Sequence, residues 1–435
     1  MTATTSGLIV RGGTVVDATG TRRADVLVTD GVVVALGEGL DVPAGARVLD
    51  AGGCIVAPGL VDLHTHLREP GREEAETVES GTRAAALGGY TAVVAMPNTD
   101  PPLDSAESVR NVHAIARGAL AQVAVAGAIT VGRAGERLAP MAELAALGVR
   151  LFTDDGDGVQ SAGLMRRALQ YATGLGVVLG QHCEDASLAA GGTMHEGAWS
   201  SRLGLPGMPA EAEEVMVARD IALSRATGGR VHFLHLSTAG SIDLVRRARA
   251  GGVPVTAEVA PHHFTLTDDC TSGYDPVFKV NPPLRPRSDV DAVKAALADG
   301  TADAIATDHA PHAPELKDLP FDQAPPGMLG LQTALALSVT ELDLPIERVL
   351  ALLSWQPAAL VGLDPAHGGT QGGPVAEGAV ANLCVIDPTA TWTVDPTALA
   401  SRSRNTPYAG RTLTGRVRHT VLAGEPVVVD AEAQR

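Results

Sequence analysis

The chain has 435 residues, 45% apolar but only 3% aromatic, so a large core must be packed mainly with Ala, Val and Leu. Its formal net charge of -17 argues against nucleic-acid or anionic-membrane partners. The four cysteines, Cys54, Cys183, Cys270 and Cys384, form no CxxC pair, which argues against a disulfide framework or a thiolate metal site.

Residues 1–12 show no basic segment followed by a long apolar run, and no apolar stretch approaches the roughly 18 residues of a membrane span. The expected compartment is the cytoplasm. Short strands are expected first, at Leu8–Arg11, Thr14–Asp17, Asp25–Thr29 and Val32–Leu36, where β-branched runs are separated by Gly and Asp. From about Leu60 to Gly362 short apolar runs alternate with Ala-rich helical stretches. The runs are Leu60–Leu67, Thr91–Pro97, Val123–Thr130, Val149–Thr153, Val177–His182, Val231–Ser237, Val253–Ala260 and Ala302–Thr307. Helices are expected at Glu74–Leu87, Ser161–Thr173, Glu211–Ala226, Ala239–Ala250 and Leu329–Thr340, with Gly88-Gly89 and Gly228-Gly229 at C-terminal caps.

Apolar strands alternating with helices imply a parallel sheet covered on both faces, and eight repeats imply an α/β fold of the (β/α)8 TIM barrel type. Strands return at Ala381–Asp387, Thr391–Val394 and Thr420–Val429. Each terminal segment is too small to fold alone, so the two are expected to join in a small β-sandwich. The expected division is 1–56 and 367–435 for the two parts of the sandwich and 57–366 for the barrel.

Polar residues gather at the C-terminal ends of the runs, where a barrel places its active site. Run 1 ends Asp62-Leu63-His64-Thr65-His66, and strand alternation puts both imidazoles on one face, as chelation of a divalent ion requires. Run 4 ends Asp154-Asp155, run 5 His182-Cys183-Glu184-Asp185, run 6 contains His232 and His235, and run 8 ends Thr307-Asp308-His309. Imidazole and carboxylate ligands suit zinc. The expected arrangement has His64, His66 and Asp308 on one ion and His182 with a run 6 histidine on a second. A run 4 aspartate bridges them; spacing does not choose between Asp154 and Asp155. Two ions sharing a hydroxide supply a nucleophile at neutral pH, and Asp308 is placed to accept its proton and pass it to a leaving nitrogen.

Arg68 lies two residues past His66, and its guanidinium matches a carboxylate; its bland reading is a surface salt bridge. Asn98, Asn281 and His312 complete a small anionic pocket, although Pro neighbours both asparagines and would suit plain turns. The segment from Pro311 to Gly327 reads equally as a lid or as a passive surface loop. His113, His195, His367 and His419 are expected at the surface, and Cys183 in packing.

Several motifs occur together in order: Asp62-Leu63-His64-Thr65-His66-Leu67-Arg68-Glu69-Pro70-Gly71, Met96-Pro97-Asn98-Thr99, Phe152-Thr153-Asp154-Asp155-Gly156, His182-Cys183-Glu184-Asp185, His235-Leu236-Ser237, Lys279-Val280-Asn281-Pro282-Pro283-Leu284-Arg285 and Thr307-Asp308-His309-Ala310-Pro311-His312. Across nearly the whole chain this set resembles the bacterial-type, class I dihydroorotases of the amidohydrolase superfamily. The resemblance implies His64, His66, Asp155, His182, His235 and Asp308 as ligands of two zinc ions, bridged by Asp155 and hydroxide. It selects Asp155 over Asp154 and His235 over His232. It implies that His66, Arg68, Asn98, Asn281 and His312 contact substrate, with backbone at Pro326 and Gly327 closing from the loop. Pro326 departs from the aromatic residue often found there, which leaves only a backbone contact. His262-His263 match a stretch without a ligand role.

The implied activity is zinc-dependent, reversible cyclisation of N-carbamoyl-L-aspartate to (S)-dihydroorotate in pyrimidine biosynthesis, by a homodimer that can associate with aspartate transcarbamoylase. Two other readings are an allantoinase or hydantoinase, and a non-catalytic scaffold subunit of that transcarbamoylase. The chain has only Lys279, Lys294 and Lys317, so the carbamylated lysine that bridges the metals of hydantoinases and allantoinases at strand 4 has no counterpart. All six ligands are present, unlike in the scaffold subunits.

Overall fold

The computed structural model describes residues 7–435; of residues 1–12, read above for a targeting segment, 1–6 lie outside the described residues. All eight apolar runs are strands: β1 (Leu60–Thr65), β2 (Tyr90–Ala95), β3 (Gln122–Val125), β4 (Leu151–Thr153), β5 (Val178–Gln181), β6 (Val231–Phe233), β7 (Val255–Val259) and β8 (Ala304–Ile305). Strands β1 to β3 form one parallel ladder and β4 to β8 another. Parallel bridges Gly127–Phe152 and Thr65–His309 close the two ladders into a barrel. The β1–β8 seam is also held by Asp62, which accepts from the Thr307 amide at 2.7 Å and the Thr307 hydroxyl at 2.7 Å.

Strands β3, β6 and β8 are shorter than their runs because those runs continue past the ladder into the turns that carry the polar residues. Helices pack outside the barrel. The helix expected from Glu74 starts at Val78, because the Thr77 side chain caps it through the Ser80 amide. The one expected from Leu329 starts at Ala334. Gly228 ends the Glu211–Thr227 helix in the left-handed conformation, φ 70°. Among the described residues one stretch, Ile346–His367, is long and apolar enough to cross a membrane. It divides at Ser354 into two helices, and Leu350, Leu352 and Leu353 are buried in the barrel's core.

The terminal segments meet in one hydrogen-bonded sheet of nine strands. Ile55–Pro58 is its keystone: it runs parallel to Leu8–Asp17 on one side and antiparallel to Leu383–Thr393 on the other, then feeds β1 through Gly59. Leu8, Val10, Val15, Val26, Val56, Leu383, Val385 and Val421 form its apolar core. Three details differ from the sequence reading. Leu8–Arg11 and Thr14–Asp17 are one strand with an irregularity between Val10 and Gly13. Ala381–Asp387 and Thr391–Val394 merge into Leu383–Thr393. Thr420–Val429 spans a hairpin, because Ala423 and Gly424 both adopt positive φ and turn the chain back.

Candidate metal centre

His64, His66, Asp155, His182, His235 and Asp308 converge, all buried, on one point at the C-terminal rim. Asp155 is central. Its Oδ1 lies 3.4 Å from His64 Nε2, 3.5 Å from His182 Nδ1 and 3.6 Å from His235 Nε2, and its Oδ2 lies 3.5 Å from His66 Nε2. Asp308 Oδ1 lies 3.2 Å from His66 Nε2 and 3.6 Å from His64 Nε2. Two groups, His64/His66/Asp155 and Asp155/His182/His235, each bring three donor atoms within 4.8 Å of one another.

Local backbone geometry accounts for the choices that spacing left open. Asp154 turns away and accepts from the Ile129 amide at 2.9 Å and the Thr130 amide at 3.0 Å, which leaves the next side chain, Asp155, facing inward. His232 lies within β6 and points at Glu258 and Thr256. His235 follows the strand in a left-handed conformation, φ 34°, which swings its ring into the cage. Asp308, φ 46°, and Arg68, φ 62°, are aimed in the same way.

The donor set suits a cation. His64 Nδ1 donates to Glu258 Oε1 at 2.9 Å and His66 Nδ1 to Asn98 Oδ1 at 2.9 Å. Each ring then turns its Nε2 toward carboxylate oxygens, an arrangement that repels unless a proton or a metal ion sits between. His64 Nε2 and Asp155 Oδ1 are buried without a hydrogen-bond partner among the described residues. Burial raises the Asp155 carboxyl, but the His64 charge and the His182 and His235 rings that face it hold it well below the usual carboxylate range. Burial likewise lowers His182, yet Asp155 and Glu184 push it up to about 10. The cage therefore attracts positive charge, whether protons or a metal ion.

The pocket residues surround this cage. Arg68 is 6% exposed; its Nε donates to the Pro311 carbonyl at 3.1 Å, and it forms no ion pair among the described residues. Burial brings its pKa down to about 10, which leaves it charged at neutral pH. The Asn98 carbonyl holds His66, so its NH2 is free. Asn281 Nδ2 donates to Glu184 Oε2 at 2.7 Å, while its Oδ1 is buried and unpaired among the described residues.

His312 Nε2 donates to the Pro326 carbonyl at 2.8 Å, and the Gly327 amide donates to the Lys279 carbonyl at 2.9 Å. The loop is thus seated over the mouth with the expected polar groups of Pro326 and Gly327 engaged internally. A Cβ at Gly327 would stand 2.7 Å from His312 Nε2, so that seat requires glycine.

The sequence reading did not single out Glu258, fully buried between His64 and His232. A lone acid within the apolar run Val253–Ala260 was its signal, since a buried charge needs a partner. Glu76, buried against His309 at 3.2 Å, also went unread. Of the four histidines expected at the surface only His367 is exposed, and His113 is half-buried on its helix. His419 is buried and donates from Nε2 to the Asp50 carbonyl, and His195 is half-buried beside Arg285, 3.0 Å away, because each packs on a neighbouring element distant in sequence. Cys183 is buried in the barrel's core, as packing requires.

A protein-family model described as Dihydro-orotase-like matches residues 53–241. The dihydroorotase of Pelotomaculum thermopropionicum is 50% identical over 430 residues, covering 97% of this chain and 99% of its own. That of Mycobacterium leprae is 49% identical over 417 residues, covering 93% and 94%. Among solved structures, the L-hydantoinase (dihydropyrimidinase) from Arthrobacter aurescens superposes with a TM-score of 0.87 at 26% identity, covering 99% of this chain and 98% of its own. A D-hydantoinase superposes with a TM-score of 0.84 at 23% identity, covering 98% and 96%.

Proposed function

The chain belongs to the dihydroorotase family, and from that premise we propose that its rim, loaded with two zinc ions, interconverts N-carbamoyl-L-aspartate and (S)-dihydroorotate. His64, His66 and Asp308 would hold one ion, His182 and His235 the other, with Asp155 between them. When bound, the ions acidify a water and polarise the carbonyl under attack. All other steps belong to side chains of the protein.

Arg68 is the observation that carries the reading. A buried guanidinium without a carboxylate partner is costly, and it lies beside the cage, where a substrate carboxylate restores the balance. Nε is engaged by Pro311, and the two terminal nitrogens remain for a bidentate grip. Asn98 offers an N–H donor and Asn281 an unpaired carbonyl, a match for the alternating C=O and N–H groups of a cyclic ureide.

Burial raises the Asp308 carboxyl, but the His66 hydrogen bond and the charges of His64 and His235 overcome this, so Asp308 is ionised and ready to take a proton. In the hydrolytic direction a water oxygen adds to the ring amide carbon, and Asp308 accepts the water's proton. The C–N bond then breaks, and Asp308 delivers that proton to the departing nitrogen. In the synthetic direction Asp308 removes the proton from the carbamoyl nitrogen as it closes on the side-chain carboxyl, and water leaves.

We assign this chemistry to the cytoplasm and to a homodimer, with a possible docking to aspartate transcarbamoylase, all on the family resemblance. Light scattering with and without that transcarbamoylase tests the assembly. The substrate reading is tested by assaying dihydroorotate, allantoin and hydantoin side by side while counting bound metal. Dihydroorotate is expected to dominate, and Arg68→Ala to raise its KM by about 10- to 100-fold, the worth of a charged hydrogen-bonded pair. Equal turnover of hydantoin, or an unchanged KM in the variant, overturns the assignment.

A further inference from the structure

Glu258 is the acidic residue of β7, and its side chain is 0% exposed. Its Oε1 lies 2.9 Å from His64 Nδ1 and its Oε2 lies 3.0 Å from His232 Nε2. His232 Nδ1 lies 2.9 Å from Thr256 Oγ1, which completes a chain from β1 across β7 to β6 and back to β7. A carboxylate only accepts hydrogen bonds, so both imidazole nitrogens facing it carry their protons. His64 is thereby fixed with hydrogen on Nδ1, and only Nε2 is left to face Asp155 and Asp308. His232 is fixed with hydrogen on Nε2, and its bare Nδ1 accepts from the Thr256 hydroxyl.

We propose that Glu258 is a positioning residue of the metal centre, holding His64 in the one tautomer that can ligate an ion, with His232 and Thr256 setting how that hold responds to substitution. The inference rests on the reading of His64 as a ligand and deepens it. It applies the general rule that the partner of a ligating imidazole sets its tautomer and basicity.

The chain makes an unusual prediction for Glu258→Gln. The Gln carbonyl can still accept from His64 Nδ1, and the Gln NH2 then donates to His232 Nε2. This requires His232 to move its proton to Nδ1, which the Thr256 hydroxyl permits, because a hydroxyl also accepts. With Thr256→Val that acceptor is gone. His232 then returns its proton to Nε2, the Gln amide reverses, and His64 is left with hydrogen on Nε2, where an ion should bind.

The test is zinc affinity, read by competition with a chromophoric chelator, for the unaltered protein, Glu258→Gln, Thr256→Val and their combination. Expected are a loss of up to about tenfold for Glu258→Gln, less than about threefold for Thr256→Val, and a further 10- to 100-fold in the double variant beyond the product of the two. The unfolding midpoint of each metal-free protein separates a lost fold from a lost ion, and ¹⁵N shifts of the His64 ring report its tautomer directly. A double variant whose loss equals the product of the singles, with His64 still protonated on Nδ1, overturns the inference. His64→Ala separates the two levels. Undiminished zinc there overturns the ligand reading itself, whereas zinc lost there but untouched by the Glu258 variants overturns this inference alone.

Discussion

Apart from the isolated Arg133 and Tyr274, the non-glycine residues in the left-handed backbone region cluster in two parts of the described molecule and serve opposite ends. In the nine-stranded sheet they form two-residue hairpins: Asp30-Gly31, Ala423-Gly424 and Asp430-Ala431 have both φ values positive, the signature of type I′ turns. There the conformation only reverses the chain, and the side chains of Asp30, Ala423 and Asp430 are exposed. At the barrel rim Arg68, His235 and Asp308 are left-handed and buried, and the conformation aims a side chain. Each such residue costs about 1–2 kcal/mol wherever it stands. In the sheet an Asn or Gly would remove that cost. At the rim the same cost is tied to the proposed chemistry, because removing the side chain removes the group assigned to it.

The comparison therefore forecasts a separation of effects. Asp308→Ala keeps the backbone course and deletes only the carboxylate. Turnover of dihydroorotate is expected to fall by at least about 10³-fold, while the unfolding midpoint of the metal-free protein stays within a few degrees. Turnover within tenfold of the unaltered protein would remove Asp308 from proton transfer.

The rim was legible in the sequence to the extent that its logic is local. His64 and His66 share a face by strand alternation, and each of the other candidate ligands lies just past a strand that its own apolar run announces. The eight strands were legible for the same reason. What stayed hidden depends on residues far apart in sequence. Glu258 takes its meaning from His64 and His232, on two other strands. Asp154 and Asp155 are distinguished only by amides of the Ile129–Thr130 turn. His419 reads as a surface residue until Asp50 packs against it. In the outer sheet the strands Arg47–Asp50 and Ile55–Pro58 went unread, since four-residue strands carry too little alternation to stand out, and their partners lie at the other end of the chain or beyond two intervening strands.

Leu383→Ala tests the other half of the comparison. Leu383 is buried in the outer sheet's core beside the keystone strand, opposite Pro58. A cavity there is expected to cost about 2–5 kcal/mol of stability. Denaturant unfolding measures the loss, and kcat at low temperature, per folded molecule, is expected to be unchanged. A change in kcat with the fold intact would show the sheet acting on the rim and break the division drawn here.

The smallest effect belongs to Ala431→Gly. Ala431 is the second turn residue between Val429 and Glu432, at φ 64°, where a type I′ turn favours glycine. Relief of about 1–2 kcal/mol of left-handed strain is offset by the roughly 0.5–1 kcal/mol that glycine's greater freedom costs on folding. A net gain of about 0 to 1.5 kcal/mol follows, read as a small rise in unfolding midpoint, with kinetics untouched. The sign is the informative part. The substitution keeps the Ala431 amide bond to the Arg418 carbonyl and the Asp430–Arg418 pair, so no contact is lost that could hide the gain. A destabilised variant would mean that left-handed alanine is not strained in this turn, and the contrast between turns that merely tolerate the conformation and a rim that uses it would lose its energetic basis.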